Sequence, residues 1–161
     1  MVFVEIERKF LLDKFPDIEC VRAAEILQGY ISINPEVRIR SYRFGEHADF
    51  KLTVKSDGDL SREEVETYIS EDTFDKLSKI IGKPLITKLY KKYKLDNGLI
   101  LQCSLVDEGF TSAFMYAEIE FDNEQQAMDF VTPFYLGKDV TFDPSYKMKN
   151  YWDKTRGISY V

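Results

Sequence analysis

Histidine is nearly absent from this 161-residue chain. His47 stands alone, in a polar stretch with Gly45, Glu46 and Asp49, and is expected to face solvent. A single histidine excludes a multi-histidine zinc site. Cysteine is scarce as well. Cys20 and Cys103 are too few for a disulfide framework. Each lies in an apolar stretch, so both are expected as buried thiols in a reducing compartment. Any metal must then be held mainly by carboxylates, the donor set of a hard cation such as Mg2+ or Mn2+. No apolar run approaches the ~20 residues of a membrane-spanning helix. Met1 to Phe10 is too charged for a signal peptide. The expectation is a cytoplasmic protein with no membrane partner. A basic surplus is also missing: 22 Lys and Arg stand against 28 Asp and Glu, for a net charge of −6. That balance argues against a nucleic-acid partner.

Apolar and aromatic residues, by contrast, are plentiful. At 44% hydrophobic, with 10 Tyr and 12 Phe, the chain has material for a core and a bias toward strands. Its length suits a single domain over residues 1–161. Strands are predicted at Val2–Leu11, Glu25–Ser32, Glu36–Phe44, Asp49–Ser56, Ser61–Ser70, Leu85–Leu95, Leu99–Val106 and Ser112–Asp122, with a short one at Asp139–Phe142. Asp57-Gly58-Asp59 and Asn97-Gly98 mark hairpins, the second read as a type I′ turn. Helices are predicted at Pro16–Ala24, at Asp72–Ile81 before Gly82, at Glu124–Phe134 with Ala127, Phe130 and Val131 on one face, and at Ser145–Lys154. The fold class is β-rich α+β, with three or four helices.

The polar faces of the strands carry the functional signal. Residues i and i+2 of a strand point the same way. Glu5, Glu7 and Lys9 therefore share a face. So do Arg38 and Arg40; Lys51, Thr53 and Lys55; Arg62, Glu64 and Glu66; and Glu118 and Glu120. A solvated outer face explains one such strand. It explains five less well, because like charges placed side by side repel unless something opposite binds between them. If these faces line one cavity, seven cations (Lys9, Arg38, Arg40, Lys51, Lys55, Arg62, Lys88) meet six carboxylates (Glu5, Glu7, Glu64, Glu66, Glu118, Glu120). A linear triphosphate carries roughly four to five negative charges, which two divalent cations would about cancel. About eight strands suffice for a barrel that holds a small ligand.

In order along the chain, Glu5-Ile6-Glu7-Arg8-Lys9, Gln28-Gly29-Tyr30-Ile31, Val37-Arg38-Ile39-Arg40, Lys51-Leu52-Thr53-Val54-Lys55, Ser61-Arg62 with Glu64 and Glu66, Ile86-Thr87-Lys88 and Ala117-Glu118-Ile119-Glu120 resemble the CYTH superfamily, the triphosphate tunnel metalloenzymes. The chain looks most like the small bacterial, tripolyphosphatase-like members. The resemblance implies a closed antiparallel eight-stranded tunnel and Mg2+- or Mn2+-dependent hydrolysis of a small-molecule triphosphate. By position, Glu5, Glu7, Glu118 and Glu120 would be metal ligands. Lys9, Arg38, Arg40, Lys51, Lys55, Arg62 and Lys88 would bind phosphate. Lys9 and Lys88 would also serve catalysis, with Glu64 and Glu66 assisting the metal or orienting the bases.

Three positions depart from the family pattern. Tyr90 stands where an Arg is usual. Gln102 and Ser104 stand where an acidic pair is usual. These departures keep open a non-catalytic polyphosphate- or nucleotide-binding protein, beside adenylyl cyclase and thiamine triphosphatase. Lys91, Lys92 and Lys94 are candidate replacements for the lost Arg, set against a solvated strand edge. Few inward positions are apolar, and Tyr30, Tyr42 and Tyr90 are the expected tunnel-side aromatics. Inorganic tripolyphosphate is therefore expected over ATP and thiamine triphosphate. A homodimer is one partner state left open.

Overall fold

Alternation along each strand sorts charge to one side of a sheet and apolar residues to the other, and here the sheet closes on its charged side. The computed structural model describes residues 2–157. Its strands are β1 (Val2–Leu12), β2 (Cys20–Ile33), β3 (Glu36–Phe44), β4 (His47–Lys55), β5 (Ser61–Tyr68), β6 (Ile86–Lys94), β7 (Ile100–Val106) and β8 (Phe114–Glu120). They form a closed antiparallel barrel in the order β1-β5-β4-β3-β2-β6-β7-β8. Strand β1 closes it by pairing twice. Its first half runs beside β5, with Glu5 opposite Arg62, and its second half beside β8, with Glu7 opposite Glu120 and Lys9 opposite Glu118.

The hydrophobic core lies largely outside the barrel wall. Phe10, Leu101, Cys103, Ala117 and Ile119 form one buried cluster on the outer faces of β1, β7 and β8, under α2 (Glu124–Asp129). Helix α1 (Glu71–Ile81) covers β3 and β4 by packing Phe74 on Ile39 and Phe50. Its first turn is capped by Ser70, whose Oγ accepts the Thr73 N–H at 3.0 Å, and its last by Gly82 in the left-handed region at φ 67°. Gly29 has no room for a side chain: a Cβ there would meet Leu85 at 2.6 Å. A 3-10 turn (Pro144–Tyr146) leads into α3 (Met148–Arg156), which sets Met148, Tyr151 and Trp152 against Tyr30, Ile86, Val106 and Tyr116.

Several expectations are corrected. No helix forms over Pro16–Ala24. Cys20–Ala24 instead starts β2, where β6 supplies partners from Tyr93 to Tyr90. A sheet ladder satisfies more backbone than an isolated short helix, whose nucleation is costly. Cys20 is consequently exposed, while Cys103 is buried as expected. The Asn97-Gly98 turn is not type I′, which needs both residues at positive φ. Only Gly98 is there, at 85°, and its N–H closes onto the Leu95 carbonyl at 2.9 Å. Helix α2 stops at Asp129, because the Arg8 guanidinium takes the carbonyls of Ala127 and Phe130 at 3.0 and 3.1 Å. Val131 is left 86% exposed. Asp139–Phe142 is reduced to one bridge, Phe10 to Asp139. No helix among the described residues is long and apolar enough to cross a membrane.

Candidate active site

The two charge sets meet inside the barrel. Glu5, Glu7 and Lys9 of β1, Arg38 and Arg40 of β3, and Lys51 and Lys55 of β4 face one cavity of about 260 Å3. Arg62, Glu64 and Glu66 of β5, Lys88 of β6, and Glu118 and Glu120 of β8 face it too. All twelve charged positions named from the i, i+2 pattern are thus brought together, with Lys88 as the thirteenth.

The carboxylates divide into two groups by their partners. Glu5 accepts Lys55 Nζ on both oxygens at 3.1 Å, and Arg62 at 3.4 Å. Lys55 also reaches Glu64 at 3.2 Å. Glu66 accepts Lys51 Nζ at 3.0 Å and the Thr53 hydroxyl at 2.9 Å. Glu64 and Glu66 therefore hold two lysines in place. In contrast, Glu7 and Glu120 have no ion pair among the described residues, and with Glu5 they place ligand atoms within 4.8 Å of one another. Glu118 lies outside that group. It hydrogen-bonds Glu7 and sits beside Lys9 and Lys88.

Protonation follows this geometry. Burial, then the charges of Glu118 and Glu5, pushes Glu7 well above the carboxylate range. Burial, Glu5 and Glu118 also raise Glu120. Burial works against Glu5 as well, but Lys55, a hydrogen bond with Glu64 and Arg62 hold it at about 2. At Glu118, burial is outweighed by Lys9, the Glu7 hydrogen bond and Lys88, again to about 2. Burial raises Glu64 to about 7 despite Lys55. Burial and the Arg40 charge press Lys88 well below the usual lysine range, and its Nζ donates to the Tyr116 hydroxyl at 2.6 Å. Lys9 is lowered by burial in spite of Glu118 and Glu7; its Nζ lies 4.1 Å from the Tyr116 ring centroid.

The departures fall in different places. Gln102 lines the cavity, accepts the Tyr90 hydroxyl at 3.1 Å and hydrogen-bonds Glu120. Ser104 is buried against Tyr116 and does not line it. Tyr42 and Tyr90 border a second cavity of about 270 Å3, which opens to solvent beside exposed Arg22. The expected list of tunnel-side aromatics was therefore too short, since Phe3, Tyr116 and Tyr146 line the first cavity beside Tyr30. Glu36 was also missed. It is buried and accepts Arg62 at 3.1 Å. It opens the predicted strand Glu36–Phe44 two residues before Arg38, so the period of two did carry a signal for it. Tyr116 carried one as well, because it precedes Glu118 and Glu120 at the same period of two.

No family model matches the chain. Whole-chain relatives do. The chain is 35% identical over 148 residues to an inorganic triphosphatase of Nitrosomonas europaea, covering 90% of this chain and 94% of that one. It is 30% identical over 149 residues to an inorganic triphosphatase of Acetivibrio thermocellus, covering 91% of each. Among solved structures, the crystal structure of an inorganic triphosphatase superposes with a TM-score of 0.66 at 31% identity, over 91% of this chain and 93% of that one. A Pyrococcus horikoshii protein at 21% identity and a TM-score of 0.55 shares the fold, over 76% of this chain and 81% of its own. With these relatives matched almost end to end, the chain belongs to the inorganic triphosphatase family.

Proposed function

We propose that this chain is a single CYTH-type tunnel domain that hydrolyses inorganic tripolyphosphate to pyrophosphate and orthophosphate, with Mg2+ or Mn2+. One observation supports this most: cations and carboxylates share one lumen, and the carboxylates include a crowded group, buried Glu5, half-buried Glu7 and exposed Glu120, with too few counter-charges. A hard divalent cation fits that group, because the donors are all carboxylate oxygens and their mutual repulsion is what it would relieve. When bound there, it supplies Lewis-acid charge beside the phosphate chain.

The chain's own residues do the rest. Arg38, Arg40, Lys51, Lys55 and Arg62 hold the non-bridging oxygens by charge-assisted hydrogen bonds. Glu64 and Glu66 keep Lys55 and Lys51 aimed. No histidine lines the cavity, so proton handling falls to lysine. Water forms the new P–O bond at a terminal phosphorus as the P–O–P bond breaks. Lys88, whose proton is loosely held, can give one to the leaving oxygen at Nζ. Lys9, beside Glu118 and over the same Tyr116 ring as Lys88, adds positive charge on that side of the lumen. With charge on most positions that line the first cavity, a bare phosphate chain is favoured over a nucleotide or thiamine triphosphate, and the cytoplasm is the expected compartment.

Phosphate release from tripolyphosphate with manganese tests this reading. Turnover is expected, with a higher kcat/KM than for ATP or thiamine triphosphate. Tight binding without release would favour the non-catalytic alternative that Gln102 raises. More efficient turnover of either competitor would overturn the substrate assignment.

A further inference from the structure

Behind Arg40 the lumen opens into the second cavity, which Arg38, Arg40, Lys51, Glu66 and Gln102 border in common with the first. Arg22 and Lys92 line the second cavity alone. They lie directly opposite each other on β2 and β6, as Arg40 and Lys51 do on β3 and β4. Like charges directly opposite on neighbouring strands repel. The two carboxylates that border this cavity already have partners, Asp49 with His47 outside it and Glu66 with Lys51 and Thr53 in its wall. Arg22, Arg38, Arg40 and Lys92 form no ion pair with any described residue. Arg22 is exposed, and among the described residues its guanidinium stacks on the Phe44 ring, at 4.0 Å. A second observation points the same way. Arg38 is 7% exposed, faces both cavities, and its buried Nε has no hydrogen-bond partner. The walls are set by the Tyr42 and Tyr90 rings, 5.7 Å apart. Tyr90 stands where an arginine is expected, and Lys92 carries positive charge one inward position farther along β6.

We propose that the second cavity is a separate binding site for a phosphate oxyanion, gripped between Arg22 and Lys92. Its ligand is either free orthophosphate or the overhanging end of a polyphosphate longer than the triphosphate in the first cavity. The overhang source rests on the hydrolase reading above; the orthophosphate source does not.

The test compares the parent with the double variant Arg22→Gln/Lys92→Gln and with the charge-retaining Arg22→Lys/Lys92→Arg, which controls for folding. Orthophosphate affinity is read by calorimetry without metal. The specificity constants for tripolyphosphate and for a long-chain polyphosphate are read with manganese. The site predicts a loss of about tenfold in the Gln variant but not in the charge-retaining one. A loss of orthophosphate affinity alone identifies free phosphate. A loss of long-chain turnover alone, with tripolyphosphate within twofold, identifies the overhang. No change in either measurement overturns the proposal. So does an equal loss with tripolyphosphate, which would place both cations in the first site. A parent that leaves tripolyphosphate uncut while binding orthophosphate through Arg22 and Lys92 would sink the hydrolase reading and leave this site standing.

Discussion

Two ionic clusters in this molecule, one buried and one lining the lumen, are built on opposite terms. Outside the barrel wall, Asp107 is fully buried and fully partnered. Its carboxylate accepts the Thr87 N–H at 3.0 Å, the Tyr151 hydroxyl at 2.6 Å and two nitrogens of Arg156 at 2.5 and 3.1 Å. Burial would raise it, but Arg156, Tyr151 and Thr87 together hold it below the usual range. Inside the barrel, half-buried Glu7 is crowded by Glu118 and Glu5, and their charge adds to the desolvation that raises it. The first cluster is complete and fastens α3 to the sheet. The second is short of positive charge where its carboxylates crowd. A buried charge with every partner present stabilises the fold; one crowded by its own sign marks a place for a ligand.

The largest effect should come from breaking the complete cluster. Asp107→Asn leaves the Arg156 guanidinium buried without its counter-ion, so urea unfolding should show a loss of about 3–5 kcal/mol. A loss below about 1 kcal/mol would put the pair on a par with a surface salt bridge. Next comes the cationic wall of the lumen. Arg40→Ala removes a charge-assisted contact of about 1.5–3 kcal/mol, so triphosphate should bind roughly 10- to 150-fold more weakly. Titration that finds affinity within twofold of the parent would make Arg40 a bystander. A smaller effect of opposite sign is expected at the crowded carboxylates. Glu7→Gln should stabilise the metal-free protein at neutral pH by on the order of 1 kcal/mol, because it removes a repelled charge. A melting temperature lower than the parent's would contradict this.

The subtlest contrast is in pH dependence. Asp107 is depressed on folding, so its contribution is full above the unfolded value of about 3.9 and is lost as pH falls through the folded value. Glu64, raised to about 7, and Glu7, raised well above the usual range, behave in reverse. Their contribution is full below about 4.3 and is lost as pH rises through the folded values. Stability of the metal-free protein should therefore fall at both ends of that range. Asp107→Asn should flatten the acid limb alone, and Glu7→Gln the neutral limb alone. Denaturant midpoints taken across the range in chelator check both.

Much of this could be read from residue order. The period of two places twelve of the thirteen charged positions on the inner face, all but Lys88, because a closed barrel keeps that period around its whole wall. The longer reach of β2 could not be read. Val21-Arg22-Ala23-Ala24 is too short a run to separate strand from helix, and only the register against β6 makes it a strand. That error hid Arg22 and its pairing with Lys92. The division among the carboxylates was equally illegible. Glu118 and Glu120 look alike in sequence, and only the β1–β8 register gives Glu118 to Lys9 and Glu120 to Glu7. Asp107 lies at the end of β7 with φ at 50°, and its partner Arg156 is 49 residues away. Nothing local to either residue announces the pair.

That division supplies the most direct test of the account. Manganese is titrated calorimetrically into the parent, Glu120→Gln and Glu118→Gln. The account predicts divalent-ion binding in the parent, its loss by about tenfold or more in Glu120→Gln, and a smaller loss in Glu118→Gln, with all three folded. Unchanged affinity in both variants would contradict it, and would return the crowded carboxylates to the role of lumen wall.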